Sequence, residues 1–142
     1  MKLNAVVAAG VHVYGDTTFR GKCPSEAMEQ MTFFNTLRRE HPDTWGRIAL
    51  HPRNEGQRTG GQIKAMIQHK AEGLAPGASD IIIPGRVTFV CEMKRQDHTQ
   101  SKWQDGQIEY LEAAHAAGAF ACVALGWKSA WTAFQDWQNV AV

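Results

Sequence analysis

Residues 77–94 read GASDIIIPGRVTFVCEMK, and this stretch decides the fold. The three isoleucines at 81–83 form a short apolar run of branched residues, which is typical of a buried strand. A Pro-Gly pair at 84–85 marks a turn, and the apolar residues from about Val87 predict a second strand. Asp80 therefore lies directly before the first of two neighbouring strands.

The second strand ends in the triplet Glu92-Met93-Lys94. Side chains alternate between the two faces of a strand, so Glu92 and Lys94 are predicted to lie on one face. Cys91 and Met93 are predicted to lie on the other. We expect the carboxylates of Asp80 and Glu92 and the ammonium of Lys94 to converge where these strands meet.

Around this pair the chain alternates between helical and strand-like patterns. Ser25 can cap a helix that stops near Glu40, because His41 precedes Pro42. The order of elements predicts an α/β (α+β) sheet flanked by helices. The remaining predicted elements are one or two irregular edge strands in residues 1–22, a strand from Trp45 to Leu50, helices from Gln62 to Glu72 and from about Lys102 to Ala117, a strand from Ala119 to Leu125, and an amphipathic C-terminal helix over about 127–138.

The 142 residues, 44% of them hydrophobic, predict a single domain over 1–142 with a sizeable core. No apolar run approaches the roughly 20 residues of a membrane span, so we expect a soluble cytoplasmic protein. The three cysteines are scattered, and the histidines lack the spacing of a zinc site. No phosphate-binding or dinucleotide fingerprint is present, which predicts that no nucleotide cofactor is bound.

The net charge is only +1, but basic residues concentrate between Arg38 and Lys70. This segment predicts a surface that faces phosphate groups, although an ordinary solvated surface has the same composition. It contains the polar, glycine-rich stretch 52–61, and loops of this length are frequently functional. The candidate phosphate-binding residues are Arg53, Asn54, Arg58 and Lys64, together with Arg95 directly after the second strand.

Two carboxylates and an amine suit the hydrolysis of a phosphodiester. Hard cations such as Mg²⁺ or Mn²⁺ take oxygen ligands, which Asp80, Glu92 and the backbone carbonyl of Met93 can supply. Lys94 can stabilise the negative charge that develops on the phosphate. The pattern therefore predicts a metal-dependent nuclease.

Asp80 with Glu92-Met93-Lys94 resembles the signature of the PD-(D/E)xK nuclease superfamily, and the surrounding sequence resembles its VRR-NUC branch. The resemblance covers about residues 25–127 and implies a restriction-endonuclease-like mixed sheet. The supporting features are the Asn54-containing loop, the small-residue turn 76–80, Arg95 after the triplet, and the following helix with Gln107, Tyr110, Leu111 and Gly118.

The resemblance also implies further site residues. Gln107 is expected beside the metal site, in contact with substrate or with a ligand carboxylate. The first helix is expected to contribute a glutamate; Glu26, with its spacing to Gln30, fits better than Glu29, and both remain open. We therefore interpret Asp80, Glu92, Lys94 and Gln107 as catalytic, and Glu26, Asp80, Glu92 and the Met93 carbonyl as metal ligands.

For small members of this family, the resemblance implies a homodimer that cuts branched DNA such as a Holliday junction. The tryptophan-bearing C-terminal helix or the N-terminal segment is the expected dimer surface. Two alternatives remain. One is a flap or single-strand nuclease with the same chemistry, and the other is a non-catalytic DNA-binding subunit that retains the fold.

Overall fold

A mixed β-sheet forms the centre of the protein in a computed structural model, which describes residues 2–52, 60–73 and 75–141. Within these residues the strand order is β1-β4-β3-β2. Strand β3 pairs in parallel with β4 and antiparallel with β2, and β4 pairs in parallel with β1. The predicted mixed sheet is confirmed. The strands are β1 (His12–Tyr14), β2 (Ile81–Ile83), β3 (Phe89–Lys94) and β4 (Phe120–Leu125).

Helices cover both faces of this sheet. On one face α2 and α6 enclose an aromatic core, and on the other α1 and α5 enclose a smaller aliphatic core. The helices are α1 (Lys2–Ala8), α2 (Glu26–Glu40), α3 (Trp45–Ile48), α4 (Gly60–Ala71), α5 (Gln107–Ala116) and α6 (Trp127–Ala141), and a 3₁₀ turn spans His98–Gln100. None of the helices in the described residues is long and apolar enough to cross a membrane.

The alternation predicted for β3 is observed. Cys91 and Met93 are fully buried in the aromatic core between the sheet, α2 and α6. Glu92 and Lys94 therefore face the other side, towards α5. Ile81 pairs with Cys91, so Asp80 lies one residue before the β2 ladder and reaches the end of β3 that carries Glu92.

The prediction for residues 1–22 is partly wrong, and the strand predicted from Trp45 to Leu50 is wrong. The chain forms helix α1 near its start instead of an edge strand, because Leu3 and Val6 bury one face of the helix in the aliphatic core. Strand β1, at the edge of the sheet, confirms one of the irregular edge strands predicted in residues 1–22. Residues 45–48 form helix α3 rather than a strand, and only Leu50 pairs with the sheet, through Ile82.

The aromatic stripe of α6 belongs to the protein's own core. Phe134 and Trp137 are fully buried, and the Trp137 indole N–H donates to the Val87 carbonyl oxygen at 2.7 Å. Trp131 packs partly buried against the same core. The buried stripe is therefore not available as the dimer surface expected for this helix.

Candidate active site

Asp80 lies directly before β2, beside the C-terminal end of β3, and both its side chain and its backbone are held there. Its Oδ2 accepts the backbone N–H of Met93 at 2.9 Å, and its carbonyl oxygen accepts the Nδ1–H of His51 at 2.8 Å. The N–H and C=O of a strand residue point to the same edge of that strand. The Met93 carbonyl therefore points to the edge where the Asp80 carboxylate lies.

Glu92 places a carboxylate in the interior beside Asp80. The side chain is 1% exposed, and its Oε2 accepts the Gln107 amide at 3.2 Å. Its Oε1 is buried and has no hydrogen-bond partner among the residues described. Burial, followed by the neighbouring Asp80 carboxylate, raises the pKa of Glu92 well above its usual range. An additional positive charge at this place would therefore stabilise the ionised carboxylate.

Lys94 is equally buried, with 1% of its side chain exposed. Its ammonium donates to the carbonyl oxygen of Lys102 at 2.9 Å and to Oε1 of Gln107 at 3.0 Å. It lies 3.7 Å from Oε2 of Glu92 and 4.3 Å from the centroid of the Trp103 ring. These contacts hold the cation at one position next to the carboxylates.

Gln107 connects the two buried charges of β3. Its amide nitrogen donates to Glu92 while its amide oxygen accepts from Lys94. A close approach of two backbone segments sets its position: a side chain at Gly77 would collide with the backbone of Gly106, directly before α5. The start of α5 consequently packs against the turn that leads to Asp80.

The structure brings Glu26, rather than Glu29, towards this cluster. Burial is the main cause that raises the pKa of Glu26, and the Ser101 hydroxyl, Lys94 and Asp80 also act on its carboxylate. Glu29 faces another part of the molecule. Its Oε2 accepts the backbone N–H of Trp127 at 3.2 Å, at the positive end of α6, and the Gln96 amide at 3.3 Å.

Of the five predicted phosphate-binding residues, the structure describes only two, Lys64 and Arg95. Arg53, Asn54 and Arg58 lie outside the described residues, and Lys64 is exposed on α4. Arg95 donates from Nη2 to the Cys23 carbonyl oxygen at 2.6 Å and from Nε to that of Pro24 at 3.2 Å. These bonds position the segment before α2, which is a different role from the phosphate contact expected from the sequence.

Three residues next to the cluster have no signal in the sequence. His51 supports the Asp80 backbone, and Trp103 covers the Lys94 ammonium. The Ser101 hydroxyl acts on the Glu26 carboxylate, as described above, and accepts the backbone N–H of Arg95 at 2.8 Å. Each contact depends on loop geometry and follows no periodic pattern.

The donor set fits a divalent cation of the Mg²⁺ type. No three His, Cys, Asp or Glu side chains in the described part of the chain already form a cluster that could hold an ion by themselves. The fit rests on oxygen ligands of mixed kind, namely the Asp80 carboxylate, the Met93 carbonyl and the unpartnered Oε1 of Glu92. A buried carboxylate oxygen without a donor is costly unless a cation neutralises it.

Comparisons with known proteins identify the fold. No family model and no curated protein sequence matches the chain. A solved structure described as "VRR_NUC domain protein" is similar over 87% of this chain and 93% of that chain, with a TM-score of 0.67 and 19% sequence identity. An identity this low establishes the fold alone. The chain therefore has the nuclease-like fold of a VRR_NUC domain.

Proposed function

We propose that this protein is an endonuclease that hydrolyses DNA phosphodiester bonds with Mg²⁺ or Mn²⁺. The observation that carries the proposal is the buried, unpartnered Oε1 of Glu92 beside the Asp80 carboxylate. Keeping the buried Glu92 carboxylate beside the half-buried carboxylate of Asp80 costs stability, and structural roles rarely require it. The nuclease-like fold is consistent with this chemistry.

The residues of the chain have separate tasks in this proposal. Asp80, Glu92 and the Met93 carbonyl would hold the cation, with Glu26 completing the acidic surroundings. When bound, such an ion lowers the pKa of water and neutralises charge on a phosphate. Lys94 contributes a fixed positive charge for the negative charge that develops at the phosphate. Gln107 holds the side chains of Lys94 and Glu92 in fixed positions relative to each other, because it bonds to both.

The proposed substrate is branched DNA such as a Holliday junction, cut by a homodimer with two sites. A flap or single-strand nuclease with the same residues is the nearest alternative. A non-catalytic DNA-binding subunit is the alternative from another class. The buried charges of Glu92 and Lys94 argue against it, since a binding surface gains nothing from keeping them out of water.

We expect the protein to cleave a four-way junction more rapidly than a flap, a single strand or a linear duplex, and to need Mn²⁺ or Mg²⁺. The measurement is a cleavage panel of these four DNAs with each metal and with a chelator. Preferred cleavage of the flap or single strand would contradict the junction preference and support the alternative, a flap or single-strand nuclease. DNA binding without cleavage of any of the four would leave only the binding subunit.

A pair of substitutions on α2 tests the choice of glutamate. Glu26→Gln is expected to reduce cleavage by about a hundredfold, because it removes charge next to the proposed ligands. Its thermal stability should change little, since the side chain is only partly buried. Glu29→Gln is expected to lower stability by about 1 kcal/mol through weaker interaction with the N-terminus of α6, with cleavage largely retained. Equal activities of the two variants would contradict the assignment.

A further inference from the structure

A cavity lies along α2, and one of its lining residues, His51, contacts the backbone of Asp80. The cavity encloses about 240 Å³ and is lined by Gln30, Met31, Phe34, Asn35, Arg38 and His51. Gln30 lies one helical turn after Glu26, on the same side of the helix. His51 also lines the cavity and bonds to the backbone of Asp80. The cavity therefore lies beside the helix that carries Glu26 and beside the backbone of Asp80.

The lining combines an apolar surface with amide groups and one cation. Met31 is 60% exposed and offers apolar surface at the cavity, whereas Phe34 lines the cavity with only 7% of its surface exposed. The Arg38 guanidinium lies 5.3 Å from the centroid of the Phe34 ring, which keeps its plane near an aromatic surface. The side-chain amides of Gln30 and Asn35 make no hydrogen bond to any residue that the structure describes.

This chemistry fits a nucleobase better than a phosphate. An amide both donates and accepts hydrogen bonds, as the edge of a base does, whereas a phosphate only accepts. The exposed apolar surface of Met31 and the guanidinium plane of Arg38 favour the stacking of an aromatic ring. The volume lies below the roughly 300 Å³ at which pockets for drug-sized ligands begin. The cavity therefore suits one ring system.

We propose that this cavity binds one unpaired nucleobase of the DNA strand that enters the metal site. In a duplex the hydrogen-bonding edges of the bases face each other, so a base reaches such a pocket only when it is unpaired. The inference deepens the proposed nuclease function and rests on it for the identity of the strand. It assigns to the site a contact with a base that is unpaired at the branch point of the DNA, next to the cleaved bond.

Binding without cleavage tests this proposal directly. The probes are a short thymidine oligomer and an abasic oligomer of equal length, which carry the same backbone charge, measured by fluorescence anisotropy in the presence of a chelator. The wild-type protein is expected to bind the thymidine oligomer about tenfold more tightly than the abasic one. The double variant Asn35→Leu, Arg38→Gln should lose this difference.

Arg39→Gln is the matched control, because Arg39 is the adjacent exposed arginine and pairs with Glu40 at 3.6 Å outside the cavity. It should retain the full preference for the thymidine oligomer. Equal affinity of the wild type for both oligomers would overturn the proposal. So would an equal loss of affinity for both oligomers in the double variant, since that result indicates a phosphate contact. A protein that prefers thymidine but cleaves no DNA with Mn²⁺ would refute the nuclease while leaving the base pocket in place.

Discussion

Asp80→Asn is expected to reduce cleavage of branched DNA on the order of a thousandfold, with the fold retained. Asparagine keeps an oxygen that can accept the Met93 N–H, so the bond between the two strands survives. The substitution removes the negative charge that faces Glu92. It also removes one of the proposed carboxylate ligands of the metal. Thermal stability in a chelator should therefore stay equal or rise. The stabilisation that Mn²⁺ gives the wild type should disappear.

The measurements are single-turnover cleavage and thermal unfolding, each with Mn²⁺ and with a chelator. Asp43→Asn is the matched control, because it removes the same charge at a side chain that is 88% exposed and far along the chain from the cluster. We expect it to cleave and to respond to Mn²⁺ like the wild type. Wild-type turnover in Asp80→Asn would remove Asp80 from the proposed metal site.

Lys94→Met is expected to lower cleavage by about a hundredfold or more while DNA binding changes little. Methionine fills a similar volume but removes the ammonium, and binding is retained because the lysine is 1% exposed and contributes little to the surface charge. The substitution also leaves Glu92 without its cationic partner. We expect a loss of up to about 3 kcal/mol in the free energy of unfolding.

A second variant separates the lost charge from the lost stability. Glu92→Gln combined with Lys94→Met removes both buried charges, so it should be more stable than Lys94→Met alone and equally inactive. Lys102→Met is the control, since Lys102 contacts Lys94 only through its backbone carbonyl. It should cleave DNA like the wild type. Recovery of cleavage in the double variant would show that instability, and not the missing ammonium, caused the defect.

The elements that were predicted correctly carry strong local signals. The Ser25 hydroxyl accepts the backbone N–H of Met28 at 3.2 Å, and α2 ends at Glu40, before His41 and Pro42. Cap chemistry and the restriction before proline act within a few residues, so the sequence alone contains them. The same holds for the alternation along β3, which has a period of two residues.

The elements that were predicted wrongly depend on packing against distant residues. Residues 45–50 resemble a strand in composition, yet the segment forms α3 because Gly46 lets it pack closely against the backbone at Leu37 and Arg38 of α2. Helix α5 begins at Gln107 and not near Lys102, since Gly106 adopts a φ of 88° before it. Neither the packing of Gly46 against α2 nor the backbone angle of Gly106 produces a pattern in the neighbouring sequence.

The sequence by itself determined that Glu92 and Lys94 share one face of a strand and that Asp80 begins the neighbouring one, because side-chain direction along a strand is a local property of the backbone. Only the tertiary structure showed which of Glu26 and Glu29 faces the cluster. These residues are three apart on a helix, so their side chains point in directions that differ by roughly 60°. From the sequence alone, both are therefore plausible ligands. Because β3 and α6 both lie beside α2, Glu26 faces the cluster and Glu29 faces the N-terminus of α6.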